Sequence, residues 1–577
     1  MPAALTASRL GVNRIVESKL MIRLLSLGLV VASFTPWLVL ARQPVRARQA
    51  MVVSREIHST DAGVAVLQAG GNAVDAAVAV GLSLAVTHPS AGNLGGGGFM
   101  LIRFADGRST FLDFRERAPL AATRDMYVDA AGHVTAESIL GYRASGVPGT
   151  VKGLEYAHRK YGRSPWADLV APAVRLAKEG FPVSYSLARS LRAKCEAFEQ
   201  FPDSKRIFLK DGLYYEPGES LVQADLARSL DRIRRDGARD FYDGETARLL
   251  AKGMQANGGL ITLEDLEQYT VAERTPFTGS YRGYGIITAP TPSSGGIGIL
   301  QMLGMLEPTR YYESGAGSAE SIHWMAEVMR RYFADRAEYL GDADFAPVPV
   351  DRLLSRAYIE ERRKSIDPAR ATPSDEVSPG RMAPSESRET THYSIVDTEG
   401  NAVAVTYTLN GAYGSGVTAP GLGFLLNNEM DDFAAKPGEA NMYGVIQGEA
   451  NAIAPRKHPL SSMTPTIVTR DGRLYMVLGS PGGPTIINTV LEVLVNVIDF
   501  GMSIQEAVDW PRIHHQWKPD RLSMEDGFSP DTIRLLTERG HRIGEGGAQG
   551  DCAAILFDGN WLQGAADGRG DAVARGF

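Results

Sequence analysis

The fold is decided by one stretch of sequence, Thr390-Thr-His-Tyr-Ser-Ile-Val396, then Asp397-Thr-Glu-Gly-Asn401, then Ala402-Val-Ala-Val-Thr-Tyr-Thr408. The two outer segments are rich in β-branched and aromatic residues, and the segment between them holds residues that favour tight turns. This pattern predicts a β-hairpin with strands over 390–396 and 402–408.

The register of the hairpin would bring two threonines together. If Asp397 faces Asn401 across the turn, Thr390 lies opposite Thr408, with Cβ atoms about 4.5–5.5 Å apart. A register shifted by one residue would place the two side chains on opposite faces of the sheet. Threonine is also a common strand residue, so a purely structural pair is the alternative.

The segment before the hairpin, residues 367–389, has a different composition. Four prolines are separated by serine, aspartate, glutamate and arginine, and hydrophobic periodicity is lost. Such a composition favours an exposed and mobile loop. The loop would end at Glu389, immediately before the first strand of the hairpin.

Two helices are predicted near the N-terminal end. Ser59-Thr60-Asp61 provides side chains that cap a helix, and Gly70-Gly71 would end that helix. Asn72 and Asp75 predict the cap of a second helix over 76–86. Because this second helix is apolar on every side, we expect it to be buried.

Length, composition and charge restrict the class of protein. A chain of 577 residues is too long for one ordinary core, so we expect several domains or one large layered unit. Apolar residues make up 44% and charged residues 22%, the balance of a globular protein. The net charge is −7, with 60 basic and 67 acidic side chains well mixed. Nucleic acid is therefore not an expected partner, because its binding needs a clustered basic face.

The first 41 residues differ from the rest of the chain. Residues 24–40 are almost entirely apolar, two basic residues precede them, and Ala41 is small enough for signal peptidase. This pattern predicts a secretory signal peptide over 1–41, with Met21 as an alternative start. A membrane anchor is the alternative, but the apolar run is short for a span and contains Pro36.

Several familiar catalytic and metal-binding signatures are absent from the sequence. There is no GxSxG or HExxH motif, and the adjacent His514 and His515 would point to different faces of any regular element. The glycines at 95–98 follow a predicted helix and not a strand, which argues against a dinucleotide-binding loop. Cys195 and Cys552 form no redox or zinc motif, so they either pair or stay as small buried side chains.

A set of motifs, taken together and in order, closely resembles the gamma-glutamyltransferases of the N-terminal-nucleophile hydrolase superfamily. The motifs are Gly71-Asn-Ala-Val-Asp-Ala76, Asn93-Leu-Gly-Gly-Gly-Gly-Phe99, Asp113-Phe-Arg-Glu116, Glu389-Thr-Thr-His-Tyr-Ser394, Thr408-Leu-Asn410, Asn427-Asn-Glu-Met-Asp-Asp-Phe433, Pro459-Leu-Ser-Ser-Met-Thr-Pro465 and Gly479-Ser-Pro-Gly-Gly483. Each motif alone is weak, but the resemblance extends from about residue 45 to the C-terminus.

This resemblance implies a fold and a maturation step. N-terminal-nucleophile hydrolases have an α+β fold, a four-layer αββα sandwich, and members of the family are made as one precursor that cuts itself. Cleavage would fall between Glu389 and Thr390. The products would be a large subunit of residues 42–389 and a small catalytic subunit of residues 390–577, which form a heterodimer.

The resemblance also implies the catalytic groups. A threonine hydroxyl is a poor nucleophile without a base, and cleavage before Thr390 would supply an α-amine with a reference pKa of about 7.7–8.0. Thr408 would hydrogen-bond the Thr390 hydroxyl and fix its rotamer. The backbone N–H groups of Gly482 and Gly483 would stabilise the tetrahedral intermediate, although without the resemblance a plain turn is the simpler explanation of these glycines.

Other residues would pair with the two charges of a γ-glutamyl group. By resemblance, the α-carboxylate would bind Arg115, Ser461 and Ser462, and the α-ammonium would bind Asn410, Glu429 and Asp432. The family accepts glutamine or glutamate at the position of Glu429. Each set has a structural alternative: a surface ion pair of Arg115 with Glu116, a solvated turn at Asp431-Asp432, and a helix cap at Ser461-Ser462.

Residues 437–448 resemble the lid of typical bacterial and mammalian members of the family. Tyr443 matches the aromatic residue that closes over the bound glutamyl group. Exclusion of water by such a lid would strengthen the charge pairing beneath it.

The implied activity is that of a glutathione hydrolase and gamma-glutamyltransferase. Thr390 would attack the γ-amide of glutathione or another γ-glutamyl compound, and water, an amino acid or a dipeptide would then take the glutamyl group. No cofactor or metal is needed, and a secreted, periplasmic location would fit this substrate. One alternative is an acylase of the same fold that removes glutaryl groups, which would leave charged groups of the site unpaired. Another is an unprocessed relative without catalytic activity.

Overall fold

The computed structural model describes residues 42–377, 390–436 and 448–577. The predicted signal peptide at 1–41, the cleavage residue Glu389 and the lid residue Tyr443 lie outside these ranges. No helix within the ranges is both long enough and apolar enough to cross a membrane.

The predicted hairpin lies at the centre of a seven-stranded antiparallel sheet, sheet I. Its strands, in order across the sheet, are Val573–Gly576, Met51–Ser54, Thr391–Val396, Ala402–Thr408, Gly97–Arg103, Ser109–Phe114 and Ala272–Arg274. Thr391 pairs with Tyr407, so the hairpin has the register predicted from its turn. The Asp397 N–H donates to the Asn401 carbonyl at 3.0 Å and closes that turn.

A second seven-stranded antiparallel sheet, sheet II, packs against the first. Its strands, in order, are Val45–Ala47, Leu562–Ala566, Ala553–Phe557, Arg473–Gly479, Thr466–Arg470, Tyr284–Thr288 and Phe277–Tyr281. Two smaller sheets consist of Ile513–His514, Leu522–Met524 and Ile543–Glu545, and of Phe181–Pro182 and Ser220–Leu221.

The α-helices of the described residues form two outer layers. The helices that share an apolar core with sheet I are Ile57–Gln68, Ala73–Thr87, Thr150–Tyr161, Trp166–Glu179, Tyr185–Ala193, Cys195–Glu199, Pro202–Phe208, Ala224–Asp236, Ala238–Asp243, Glu245–Ala256 and Leu263–Glu267. Those that share a core with sheet II are Gly295–Leu306, Ala319–Tyr339, Val350–Leu353, Arg356–Lys364, Thr485–Ile498, Ile504–Asp509 and Pro530–Glu538.

Alternation of side chains along the strands builds three apolar layers. Ile286 points into the outer core of sheet II, whereas the next residue, Ile287, packs between the two sheets. On sheet I, Met100 packs against the outer helices and Phe99 faces sheet II. A period of two residues is what places successive side chains on opposite faces. The molecule is therefore the expected four-layer αββα sandwich.

The first helix begins earlier than the sequence pattern predicted. It spans Ile57–Gln68, and its N-cap is Glu56, whose carboxylate accepts the Ser59 N–H at 3.1 Å. The prediction that Ser59-Thr60-Asp61 caps this helix is thus wrong. The second helix, Ala73–Thr87, has the predicted capping box of Asn72 and Asp75 and is buried along its whole length.

Candidate active site

Thr390 and Thr408 lie at one end of the central strands of sheet I. Thr390 immediately precedes the strand 391–396, Thr408 ends the neighbouring strand, and their hydroxyl oxygens are 3.5 Å apart. Thr408 Oγ1 also accepts the N–H of Asn410 at 2.8 Å, which fixes its rotamer. Thr390 is only 7% exposed, so its hydroxyl lies in a pocket and not on the open surface.

A glycine pair from sheet II faces the same place. Gly482 and Gly483 follow the strand Arg473–Gly479 and have φ angles of 131° and 57°, a region that favours glycine. The Thr485 N–H donates to the Gly482 carbonyl at 3.1 Å as the helix Thr485–Ile498 begins. The glycine N–H groups donate to no acceptor within the described ranges, and they stand where a helix dipole favours negative charge.

These elements enclose a cavity with about 260 Å³ of empty space. Its lining residues are Arg115, Thr390, Thr408, Asn410, Glu429, Asp432, Ser461, Ser462, Met463, Gly483 and Ile486. The structure therefore assembles a small pocket that has a hydroxyl nucleophile candidate at one side and charged groups at the other.

Arg115 is the centre of the charged side of this pocket. It is 1% exposed, and its guanidinium contacts Asp432 at 2.5 Å, forms an ion pair with Glu429 and lies 3.6 Å from Glu116. Burial by itself would lower the pKa of Arg115, but these three carboxyl groups outweigh burial and raise it. Three acidic groups thus surround one guanidinium.

Two of these acidic groups, Glu429 and Glu116, have raised pKa values. Burial raises the pKa of Glu429 to about 8 and that of Glu116 to about 7, although Arg115 acts in the opposite direction. Glu429 is paired with Arg115, whereas neither carboxyl oxygen of Glu116 has a hydrogen-bond donor among the described residues. Buried acceptors without donors are costly, so a cationic group that entered here would be stabilised.

The two serines line the pocket from a loop that is held by its neighbours. Ser461 accepts the Met463 N–H at 3.1 Å, and its carbonyl accepts the N–H of Ser294 at 2.7 Å. Ser462 Oγ accepts a hydrogen bond from the buried Arg336 at 3.3 Å. Both serines are buried and neither precedes a helix, so the helix-cap alternative is wrong.

The other structural alternatives also fail. Arg115 and Glu116 are both buried, so they are not a surface ion pair. Asp431 and Asp432 are buried in the short 3₁₀ helix Glu429–Asp432 and are not a solvated turn. The cysteines are free, Cys552 buried and Cys195 half-buried.

Of the predicted site residues, nine line one cavity: Thr390, Thr408, Gly483, Arg115, Asn410, Glu429, Asp432, Ser461 and Ser462. Gly482 is adjacent to this set in the chain. Glu389 and Tyr443 lie outside the described residues.

Sequence reasoning missed three residues that support the site. Glu116 was considered only as a surface partner of Arg115, yet it is fully buried beside it. Asn93 donates to the Thr408 carbonyl at 2.8 Å and accepts the Gly96 N–H at 3.0 Å. Both residues belong to motifs that were recognised, whereas nothing in the sequence around Arg336 points to Ser462.

One group of side chains within the described ranges has a spacing suited to a metal ion: His323, Glu327 and His541. It does not line the Thr390 cavity. Glu327 is already paired with Arg330 and Arg331. Two guanidinium charges on the only carboxylate make this cluster unsuitable for a cation.

Comparison with known proteins places the chain in a family. The gamma-glutamyltranspeptidase family matches residues 59–577. The glutathione hydrolase proenzyme of Escherichia coli K12 is 51% identical over 92% of this chain and 93% of its own length. Gamma-glutamyltranspeptidase of Helicobacter pylori matches with a TM-score of 0.55 and 46% identity, over 56% of this chain and 93% of that one.

A cephalosporin acylase from Bacillus halodurans has the same architecture. Its structure matches with a TM-score of 0.84 at 27% identity and covers 94% of this chain and 99% of its own. Structural likeness alone does not separate the two activities, but the Escherichia coli glutathione hydrolase proenzyme is 51% identical to this chain, whereas this acylase is 27% identical. The chain belongs to the gamma-glutamyltranspeptidase family.

Proposed function

We propose that the protein is a glutathione hydrolase and gamma-glutamyltransferase that activates itself by cleavage between Glu389 and Thr390. The observation that carries this proposal is the cavity that the Thr390 residue lines together with the Arg115 guanidinium and its carboxyl partners Glu429 and Asp432. A γ-glutamyl group has an amide to be cleaved, an α-carboxylate and an α-ammonium. The pocket offers the Thr390 hydroxyl for the amide, the Arg115 guanidinium for the α-carboxylate and carboxyl groups for the α-ammonium.

Self-cleavage would proceed by an N-to-O acyl shift. The Thr390 hydroxyl attacks the Glu389 carbonyl, the peptide C–N bond breaks, and the Thr390 nitrogen takes a proton and becomes an amine. Water then hydrolyses the resulting ester, which releases the Glu389 carboxylate and restores the hydroxyl. Residues 42–389 and 390–577 are the two products.

The new amine is the base for the transfer reaction. An α-amine with a pKa of about 7.7–8.0 accepts the proton of the Thr390 hydroxyl near neutral pH, and the oxygen attacks the γ-amide carbonyl. Negative charge on the intermediate is stabilised by the N–H groups of Gly482 and Gly483. The proton then passes to the departing amine, and a γ-glutamyl ester remains on Thr390.

The second half-reaction releases the glutamyl group. Water attacks the ester in hydrolysis, and the amine of an amino acid or a dipeptide attacks it in transfer. In either case the Thr390 oxygen leaves and recovers its proton. No cofactor takes part in this sequence.

Charge pairing defines the donor. The α-carboxylate of the substrate would share the Arg115 guanidinium with the acidic groups that now hold it, and the Ser461 and Ser462 hydroxyls would donate to it. The α-ammonium would neutralise the excess of buried carboxyl groups, with Asn410 as a further acceptor. Tyr443 would close the pocket from the lid.

The excess of carboxyl groups favours this activity over that of a glutaryl acylase. A glutaryl group has no α-ammonium, so the excess of buried carboxyl groups around the one Arg115 guanidinium would not be neutralised. The location that we propose, outside the cytoplasm, rests on the apolar N-terminal segment of the sequence.

The test uses purified full-length protein with γ-glutamyl-p-nitroanilide and glutaryl-p-nitroanilide as substrates. We expect release of p-nitroaniline from the γ-glutamyl compound alone, loss of this release in Thr390→Ala, and two bands on a denaturing gel in the parent protein only. Equal turnover of the glutaryl compound would assign the protein to the acylases. A single band and no turnover would support the unprocessed, non-catalytic alternative.

A further inference from the structure

One of the two proposed oxyanion donors depends on the orientation of the peptide group between Pro481 and Gly482. The carbonyl of this group belongs to Pro481, and its N–H belongs to Gly482. Because a trans peptide is planar, its N–H points away from its C=O, so a contact that holds the carbonyl also aims the N–H. The Ser480 hydroxyl donates to the Pro481 carbonyl at 2.7 Å. Ser480 therefore sets the direction of the Gly482 N–H.

The proton of the Ser480 hydroxyl is directed by a second contact. Ser480 is fully buried, and its Oγ accepts the N–H of Asp551 at 3.0 Å. The two residues lie at the ends of neighbouring strands of sheet II, Arg473–Gly479 and Ala553–Phe557. Since the Ser480 oxygen accepts from the Asp551 N–H, its own proton points to the Pro481 carbonyl.

Glycine allows the two segments to touch. Gly550 has a φ angle of 69°, a region that favours glycine, and a Cβ added there would lie 2.6 Å from Ser480 Oγ. A Cβ on Gly482 would lie 3.4 Å from the Gly550 Cα. Residues 549–551 thus pack directly against the loop that carries the proposed oxyanion donors.

Asp551 connects this loop to the other sheet. Its buried carboxylate forms an ion pair with Arg55. Arg55 follows the strand Met51–Ser54, which is antiparallel to Thr391–Val396, so Arg55 lies at the end of sheet I where Thr390 lies. The ion pair therefore joins the Thr390 end of sheet I to the glycine loop of sheet II.

The neighbours of Asp551 in the chain are held from within the proposed small chain. The Gln549 carbonyl accepts a hydrogen bond from Arg512, and the Cys552 N–H donates to Asp567 at 2.9 Å. Arg55, in contrast, belongs to the proposed large chain. Its contact thus couples the position of the glycine loop to the strand beside the nucleophile.

We propose that Arg55, Asp551 and Ser480 form a positioning relay that aims the Gly482 N–H at the oxyanion of the Thr390 reaction. Arg55 holds the Asp551 carboxylate, the Asp551 N–H holds Ser480, and the Ser480 hydroxyl holds the peptide group of the donor. The inference rests on the proposed function, because it assigns the residues that orient a donor of the same reaction. None of the three lines the Thr390 cavity, so they act through Gly482 and do not touch the substrate.

The test measures kcat and KM of the self-cleaved enzyme for γ-glutamyl-p-nitroanilide at about pH 8.5, where the Thr390 amine is mostly unprotonated. Burial raises the pKa of Asp551 to about 7, although Arg55 acts in the opposite direction, so its carboxylate is ionised at this pH. The enzyme concentration is taken from the amount of small chain on a denaturing gel, so that impaired folding or cleavage is not counted as lost kcat.

Arg55→Met and Asp551→Asn should each lower kcat about fivefold, and Ser480→Ala about tenfold, which is less than the loss of a whole oxyanion donor. KM should stay unchanged, because the donor binds charge that develops only in the transition state. Arg55→Lys keeps the charge and should restore most of kcat. The double variant of Arg55→Met and Ser480→Ala should lose no more than Ser480→Ala alone, because both changes act through one peptide group.

Arg282→Met is the matched control. Arg282 pairs with the buried Asp499 at 2.7 Å, and its side chain is 24% exposed, compared with 21% for Arg55. It lies in the turn between Phe277–Tyr281 and Tyr284–Thr288, at the opposite end of sheet II from the glycine loop. This variant loses a similar ion pair and should keep the parent kcat.

Three results would overturn the inference while the proposed function stands. They are an unchanged kcat in Arg55→Met, a rise of KM in place of the fall in kcat, and a double variant in which the two losses multiply. A parent enzyme that does not turn over γ-glutamyl-p-nitroanilide would overturn both.

Discussion

At the scale of single residues, the Thr408 hydroxyl is the group that we propose holds the Thr390 side chain in place. It accepts the N–H of Asn410 and lies 3.5 Å from the Thr390 hydroxyl. We predict that Thr408→Ala slows self-cleavage roughly tenfold, equivalent to about 1.4 kcal/mol, because the nucleophile loses the group that holds its rotamer. A time course on denaturing gels measures this rate.

Thr408→Ser is the control for that measurement, since it keeps the hydroxyl and removes only a methyl group. It should cleave at nearly the parent rate. If both variants cleave equally slowly, packing of the methyl group, and not the hydroxyl, is what matters at this position.

The pKa of Glu429 leads to a second prediction at this scale. Burial raises it to about 8, so Glu429 is mostly protonated at pH 6 and ionises as the pH approaches 8. Ionisation adds negative charge where the substrate ammonium would bind, so KM for γ-glutamyl-p-nitroanilide should fall roughly fivefold over this range. In Glu429→Gln, the fall of KM should be smaller, because only Glu116, whose pKa is about 7, still ionises in this cluster over that range.

Steady-state kinetics at constant ionic strength separate this effect from the titration of the nucleophile. The Thr390 amine should raise kcat over the same range in both proteins, because it must be unprotonated to act as the base. A fall of KM in Glu429→Gln as large as in the parent would show that Glu429 does not pair with the ammonium.

What could be predicted for single residues depended on their separation in the chain. The turn of five residues was sufficient to predict that Thr390 lies opposite Thr408, because a hairpin has only one register once its turn is set. The contact between Arg115 and Asp432 joins residues 317 positions apart, and no local pattern encodes it. Only the resemblance to a family connected these two residues.

At the scale of secondary-structure elements, the two N-terminal helices show where capping patterns succeed and fail. Asn72 and Asp75 satisfy each other's backbone N–H groups, so the local sequence was sufficient. Ser59 and Thr60 looked equally suitable as caps, but their hydroxyls bond Thr87 and Ser54 in the folded chain. Because these hydroxyls form hydrogen bonds with residues outside the helix, they do not cap its N-terminus as the local pattern predicted.

The glycines at 95–98 are explained at this scale by close packing of strands. A Cβ on Gly96 would lie 2.1 Å from the Thr408 carbonyl oxygen and 2.8 Å from the Asn93 side chain. We predict that Gly96→Ala displaces Thr408, impairs self-cleavage and costs about 1–3 kcal/mol of unfolding free energy. Urea denaturation and the gel assay measure the two effects.

Gly253→Ala provides the comparison for this variant. The nearest atom to its added Cβ is 3.2 Å away, in Pro420, and the position lies inside the helix Glu245–Ala256. Alanine is favoured over glycine in a helix by about 1 kcal/mol, which offsets this mild contact. Normal cleavage in Gly96→Ala would show that the glycine string does not position Thr408.

At the scale of the whole molecule, the sequence alone indicated a large layered unit but not its second sheet. The strands of sheet II come from distant parts of the chain, such as Val45–Ala47 and Leu562–Ala566, which pair with each other. Short apolar strands of this kind are not distinguished from buried helix segments by periodicity. The four layers were therefore expected from family resemblance and not from the pattern of residues.

The proposed large and small chains are interleaved in both sheets, and this predicts how the cleaved protein behaves. The strand Met51–Ser54 lies between Val573–Gly576 and Thr391–Val396, so it pairs on both sides with strands of the small chain. Separation of the chains would break these strand pairs and expose the apolar layer between the sheets. The free-energy cost of that exposure is far larger than the conformational entropy gained when one peptide bond is cut.

We therefore expect the two chains to co-elute in native size-exclusion chromatography at the same volume as uncleaved Thr390→Ala. In urea, fluorescence and small-chain release should follow one transition, because the two chains share each apolar layer that contains sheet residues. Release of the small chain at a urea concentration where fluorescence is still native would contradict this. It would mean that the strand pairs between the chains are a docking contact and not part of a common core.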